Sequence, residues 1–262
     1  MIALDIYSDP ICPWCYIGKV YLERALEGLN ENPFNIEWHP FQLNPEMPPN
    51  GMNRKKYLEK KFGGSNGVVE AYGPIIERTK SDNIDAKLDK IKVTPNTMNA
   101  HRIIHWSKIE GCQNQIVSEL FKAYFVSGLD LGDINVLAKL ASKYFMDEKS
   151  ILRLLTSDND LTNITEKDQT ARQMGIKAVP MFIVANQYAV SGAQSTGFWQ
   201  NVVKDIQNSI SYQKKVEFSK KKRPDLTSFS FAVQALMSEL LAGYFACGLN
   251  VVKDRRTCPM SH

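Results

Sequence analysis

The chain has 262 residues, 44% of them hydrophobic and 23% charged, with a formal net charge of +4. Those values are ordinary for a folded domain with a sizeable core, and the mild basic excess does not point to nucleic acid, whose partners concentrate charge on one face or arm. Five cysteines, at 12, 15, 112, 247 and 258, are too few and too odd in number for a disulfide scaffold, so attention goes to the one close pair.

In chain order, Ile2 to Ser8 alternates and is rich in β-branched residues, which predicts a strand ending at Asp9-Pro10. Asp5, Asp9 and Pro10 interrupt the first ten residues without a preceding basic residue, so no secretory signal is expected there. Tyr16 to Leu29 has helical spacing, and Phe34 to Trp38 reads as a second strand. Four prolines between Pro40 and Pro49 then break regular structure. From Arg54 to Asp160 the pattern is a series of helices without a convincing strand: Asn96 to Lys108, Gln113 to Ser127, Ile134 to Phe145 and Lys149 to Ser157. Asn163 to Met174 predicts a helix closed by Gly175, Met181 to Ser191 a hairpin turning at Asn186-Gln187, and Ser195 to Ile210 a last helix.

A βαβ unit followed by ββα is the thioredoxin arrangement. The expected fold is therefore α/β and thioredoxin-like with a large α-helical insertion. Residues 1–45 and 161–212 would form the thioredoxin-like domain, 46–160 the helical insertion subdomain, and 213–262 a basic linker and C-terminal helical extension. That tail opens with Lys214-Lys215 and Lys220 to Arg223, then carries an apolar run from Phe229 to Leu249. Gln234, Ser238 and Glu239 within the run argue against a membrane span, and solvated lysine clusters against nucleic acid. A cytoplasmic protein is expected.

The chemistry is expected at Cys12-Pro13-Trp14-Cys15, where a strand gives way to a helix. Unpaired N–H groups and the helix dipole favour a thiolate at Cys12, which can attack a disulfide. Pro13 suits the first helical turn, whose N–H is unpaired in any case. Cys15, about one turn further on, would resolve the mixed disulfide formed at Cys12. Trp14 is either a substrate contact or a lid. Pro180, at the head of a strand, suits a cis bond after Val179 that would bare the Val179 backbone for pairing with a substrate.

Several stretches resemble the DsbA-like oxidoreductases of the FrnE type: Ser8 to Gly18, Thr94-Pro95-Asn96-Thr97 with Ala100-His101-Arg102, Leu120 to Phe125, Gly175 to Phe182, and Val190 to Gln194. They run in order over residues 1 to about 210. The resemblance implies a redox-active Cys12–Cys15 pair facing a cis Pro180. Two departures are Ala178 for a common glycine and Met181 for a common threonine or phenylalanine, and the second bears on substrate contact beside the proline. The expected site is thus Cys12, Cys15 and Pro180 for catalysis, with Pro13, Trp14, Val179, Asn96 and His101 around the substrate. No cofactor is expected, with glutathione the candidate co-substrate, and the partners would be protein or small-molecule thiols and disulfides.

Each feature has a plainer reading. Cys12 and Cys15 could be half a zinc site completed by Cys247, Cys258 or a histidine, but no second close pair exists, and no metal is expected. His101 and His105 lie four apart, a spacing that can bind metal, yet hydrogen bonding within helical packing is the favoured reading. Asn96 and His101 lining the cleft above Cys12 is the sharper alternative. Cys112 reads as an inert thiol, and Cys247 with Cys258 as a candidate relay dithiol. The same fold branch includes 2-hydroxychromene-2-carboxylate isomerases and kappa-class glutathione transferases, which typically carry serine where Cys12 stands. A glutathione-dependent isomerase or transferase is the alternative function, and a non-catalytic interaction protein the third.

Overall fold

The structure, a computed structural model, describes residues 1–144, 147–220 and 251–253. Strand β1 (Ile2–Ser8) is the second strand of a five-stranded mixed sheet. It runs parallel to β2 (Phe34–Pro40) on one side and antiparallel to β5 (Met181–Val184) on the other. Strand β6 (Tyr188–Ser191) closes the hairpin with β5, and β7 (Val251–Lys253) adds to its outer edge.

The two faces of this sheet differ because of strand alternation. Leu4 and Ile6 of β1, Trp38 of β2 and Phe182 and Val184 of β5 are buried and share one face by register. Helices α1 (Pro13–Leu26) and α9 (Thr196–Lys220) pack against each other over that face, where fully buried Trp199 stands edge-on to Phe34 and Phe182. The opposite face presents Asp5, Tyr7, Glu37 and His39, all half-buried. It meets α8 (Leu161–Gln173) and the end of α4 (Met98–Ile109).

Between β2 and α8 lies the insertion. It contains α2 (Arg54–Phe62), α3 (Ser65–Ser81), α4, α5 (Gln113–Phe121), α6 (Ile134–Ala141) and α7 (Glu148–Leu155). Expected N-cap Asp133 accepts from the Asn135 amide at 2.8 Å. Two short strands, β3 (Met52–Asn53) and β4 (Val93–Thr94), pair antiparallel within the insertion, where only helices were expected. Their two-residue length left no period to read. Gly51 permits the pairing: its φ is +67°, and a Cβ there would lie 2.7 Å from the Thr94 carbonyl oxygen. Lys122–Val126 forms a π-helical turn continuing α5, so the segment expected as one helix changes pitch at Phe121. This turn buries Tyr124 and Phe125, and Phe125 stacks on Tyr16 at 5.1 Å. The insertion is thereby keyed to the helix that carries the two close cysteines.

The fold is the expected thioredoxin-like one with a helical insertion. The tail departs from expectation. Helix α9 passes the expected end at Ile210 and takes in residues 213–220, because neither glycine nor proline interrupts the chain from Phe198 to Arg223. Residues 251–253 are strand where a helical extension was expected. The apolar run Phe229 to Leu249, which includes Cys247, and Cys258 lie outside the described residues. Among the described residues no helix is long and apolar enough to cross a membrane.

Candidate active site

The loop carrying Cys12 leaves the carboxyl end of β1, the edge where open α/β sheets place their sites. Ser8 ends the strand, and the chain then turns on Asp9. The Cys12 amide donates to the Asp9 carbonyl at 2.9 Å, and the Ile11 amide to the Asp9 carboxylate at 3.1 Å. This side-chain-closed turn delivers Cys12 as the N-cap of α1, with Pro13 at the first helical position as expected. No acidic residue occupies the first turn of α1 itself; the nearby carboxylate is that of Asp9 in the preceding turn.

Both thiols are free and buried, Cys12 at 4% exposure and Cys15 at 1%. They are in contact: burial, and then hydrogen bonding and charge from Cys12, push the Cys15 thiol well above its ordinary pKa. The Ser8 hydroxyl and the Asp9 backbone act on Cys15 in the other direction. Cys15 is therefore held as a thiol. Across the site, the Val179–Pro180 peptide is cis, as expected, and the Cys12 thiol points to the Val179 carbonyl oxygen at 3.7 Å. Pro13 and Trp14 are half-buried beside the pair.

Asp9 is the residue sequence reasoning undervalued. Fully buried, it also accepts from the Leu43 amide at 2.7 Å and the Thr97 hydroxyl at 3.4 Å. It thus ties the cysteine loop to the exit of β2 and to the N-terminus of α4. Desolvation raises its pKa from 3.8 to about 6 against the pull of these hydrogen bonds. The signal available was the Ser8-Asp9-Pro10 turn itself, read only as a strand end.

Asn96 is fixed by hydrogen bonds and His101 by burial. Asn96 gives its amide to the Met47 carbonyl at 2.7 Å and accepts from the Met98 amide at 2.9 Å, so it shapes the loop before α4. His101 is buried at 2% exposure, with Asp168 as the one charge acting on it, and so cannot line an open cleft. Burial lowers its pKa to about 4. Its neighbour Arg102 is structural: at 1% exposure it donates to the carbonyls of Leu154, Leu155 and Ser157, closing the end of α7. His105 points elsewhere, to Lys167 and Asn163. Cys112 is buried at the N-cap of α5, with burial and Glu110 raising its pKa. Among the described residues, the one group of three close candidate metal ligands is Asp5, Glu37 and His39 on the polar sheet face; it excludes both thiols, and Lys108 is ion-paired to Glu37.

A dithiol at a helix N-terminus, facing a proline at the head of the adjacent strand, defines the class of dithiol proteins built on the thioredoxin fold. The chain belongs to the family of DSBA-like thioredoxin domains, which matches residues 3–204. It is 24% identical over 208 residues to the uncharacterized protein YwbO of Bacillus subtilis, covering 79% of this chain and 98% of that one. Its fold is similar to the probable DsbA oxidoreductase SCO1869 from Streptomyces coelicolor, with TM-score 0.70, 21% identity, and coverage of 79% and 91% of the two chains. It is also similar to the cytosolic disulfide reductase DsbM from Pseudomonas aeruginosa with GSH, with TM-score 0.53, 13% identity, and coverage of 81% and 99%.

Proposed function

We propose that this chain is a thiol–disulfide oxidoreductase in which Cys12 is the nucleophile and Cys15 the resolving thiol. The observation that carries the reading is the contact between two free thiols at the start of α1, with Cys12 aimed at the Val179 carbonyl. The Cys12 thiolate attacks one sulfur of a substrate disulfide, forming a Cys12 mixed disulfide and releasing the other sulfur as thiolate. Cys15 loses its proton, attacks the Cys12 sulfur and releases the second thiolate, leaving Cys12–Cys15 oxidised and the substrate reduced by two electrons. The reverse sequence oxidises a substrate dithiol. The raised pKa of Cys15 suits the order, because the resolving thiol stays protonated until its partner has reacted. Protein disulfides and small-molecule disulfides both fit this chemistry, and a reducing compartment such as the cytoplasm is where such a couple would repair unwanted bonds.

The test is to incubate Cys15→Ser and Cys12→Ser variants with a protein disulfide. The Cys15→Ser protein is expected to accumulate a mixed disulfide at Cys12, and the Cys12→Ser protein to accumulate none. Equal trapping by both, or by neither, would remove this assignment. Retention of full turnover by the Cys12→Ser variant with a glutathione-dependent isomerase substrate would favour the alternative chemistry.

A further inference from the structure

The polar face of the sheet carries a charge pattern that strand pairing does not favour. Asp5 of β1 stands directly opposite Glu37 of β2, and Tyr7 directly opposite His39, so two carboxylates and an imidazole share one patch of that face. Like charges set opposite each other across a strand pair destabilise it. Little offsets them. Among the described residues Asp5 has an ion pair only with His39, and Glu37 only with His39 and with Lys108 from the last turn of α4. Lys108 is 51% exposed, a solvated counter-ion of the kind that contributes little.

The three side chains converge. His39 Nε2 lies 2.9 Å from Asp5 Oδ1 and 3.8 Å from Glu37 Oε1, and one ligand atom from each residue lies within 4.8 Å of the other two. Ligands about 2.1 Å from a tetrahedral ion stand about 3.4 Å from one another, a value that the two histidine separations bracket. The imidazole is already oriented. Tyr7, its cross-strand partner, stacks on it with centroids 4.9 Å apart and planes inclined at 23°, and the Tyr7 hydroxyl donates to Met174 Sδ at 3.7 Å. The side chains of His39, Asp5 and Glu37 are 22%, 23% and 30% exposed, sheltered yet reachable from solvent.

We propose that Asp5, Glu37 and His39 form a binding site for a first-row divalent transition-metal ion of the zinc kind, a site that contains neither thiol. The two carboxylates neutralise the charge of the ion, and the imidazole selects it over magnesium and calcium, which take oxygen ligands. Three protein ligands leave a fourth position for water. Against the carboxylate of Asp5, which only accepts, Nε2 carries the ring proton. Binding needs the lone pair of that nitrogen, so the proton moves to Nδ1 or to solvent, and Lys108 releases Glu37. The ion then serves as the counter-charge between β1 and β2.

The experiment uses the full chain carrying Cys12→Ser and Cys15→Ser, which removes the dithiol as a competing ligand. Zn2+ binding is measured by titration calorimetry and Co2+ binding by absorption. One equivalent of Zn2+ is expected whose affinity falls at least about tenfold in His39→Gln and in Asp5→Asn. Lys108→Met, which frees Glu37, should tighten the same equivalent about two- to fivefold. Any equivalent held by the remaining cysteines stays constant across these variants and cancels. Co2+ at the site should show ligand-field bands without a thiolate charge-transfer band, and Zn2+ should raise the Tm of the parent more than that of His39→Gln. Zn2+ binding unmoved by His39→Gln and Asp5→Asn overturns the site. So does displacement of Zn2+ by Mg2+ at equal concentration, which would reduce the patch to a diffuse negative charge. Should the strand variants fail to fold, Lys108→Met decides, because an equivalent that it does not tighten is not held by Glu37.

Discussion

Gly18 lies against the ring of Pro180: a Cβ placed on Gly18 would stand 3.3 Å from the Pro180 Cγ and 3.4 Å from both the Ala193 Cα and the Phe182 Cζ. That approach lets the first turns of α1 close on the head of β5. It sets the separation between the Cys12 thiol and the Val179 carbonyl, which belong to these two elements.

Filling this contact should act in proportion to added volume. Gly18→Ala gains about 1 kcal/mol of helix propensity and needs a shift of only a few tenths of an ångström, so its net effect should stay within about 1 kcal/mol. Gly18→Val adds two further carbons between tightly packed groups and should cost about 2–3 kcal/mol, together with slower mixed-disulfide formation at Cys12. Urea unfolding and trapping rates measure both effects. Valine behaving like alanine would show that α1 is not held at this point.

Asp9 should make stability pH-dependent in a way its amide does not. Its folded-state pKa of about 6 lies above the ordinary 3.8, so the folded protein binds the proton more tightly than the unfolded chain. Protonation stabilises, and a penalty develops as pH rises through about 6. The stability of Asp9→Asn relative to the parent should therefore rise by about 2 kcal/mol between pH 4 and pH 8. A difference constant over that range would mean the carboxyl titrates normally.

His101 acts in the opposite sense. Its folded-state pKa of about 4 lies below the ordinary 6.5, so the folded protein resists protonation. The associated stability is complete above pH 6.5 and is lost as pH falls toward 4. About 2 kcal/mol should be lost between pH 7.5 and pH 5 through this group, a loss absent in His101→Gln. Asp9 gains stability over much of the range in which His101 loses it, so the parent curve is flatter than that of either variant. Denaturant titrations at four pH values separate the two contributions.

The thioredoxin-like order of strands and helices was legible because strand alternation, helical spacing and proline punctuation are local. The Cys12–Cys15 pair and its place at a helix start were legible for the same reason, as was the suitability of Pro180 for the head of a strand. The two-residue β3–β4 pairing was not, because it depends on Gly51 meeting Thr94 across the insertion. Helix α9 ran past its expected end because a basic run reads as a linker, although nothing in it stops a helix.

The residues by themselves determined which cysteines form the one close pair and which elements carry them. Only the tertiary structure decided what surrounds those sulfurs. Asp9 gained its role from amides and a hydroxyl at Leu43 and Thr97, 34 and 88 positions away. His101 was turned from a candidate cleft residue into a buried base by packing that helical spacing does not encode. Arg54 came to rest on the hydroxyls of Tyr72 and Tyr124, 18 and 70 positions away, and among the described residues no carboxylate pairs with it. Burial and charge pairing depend on contacts distant in sequence, and those contacts exist only once the chain has folded.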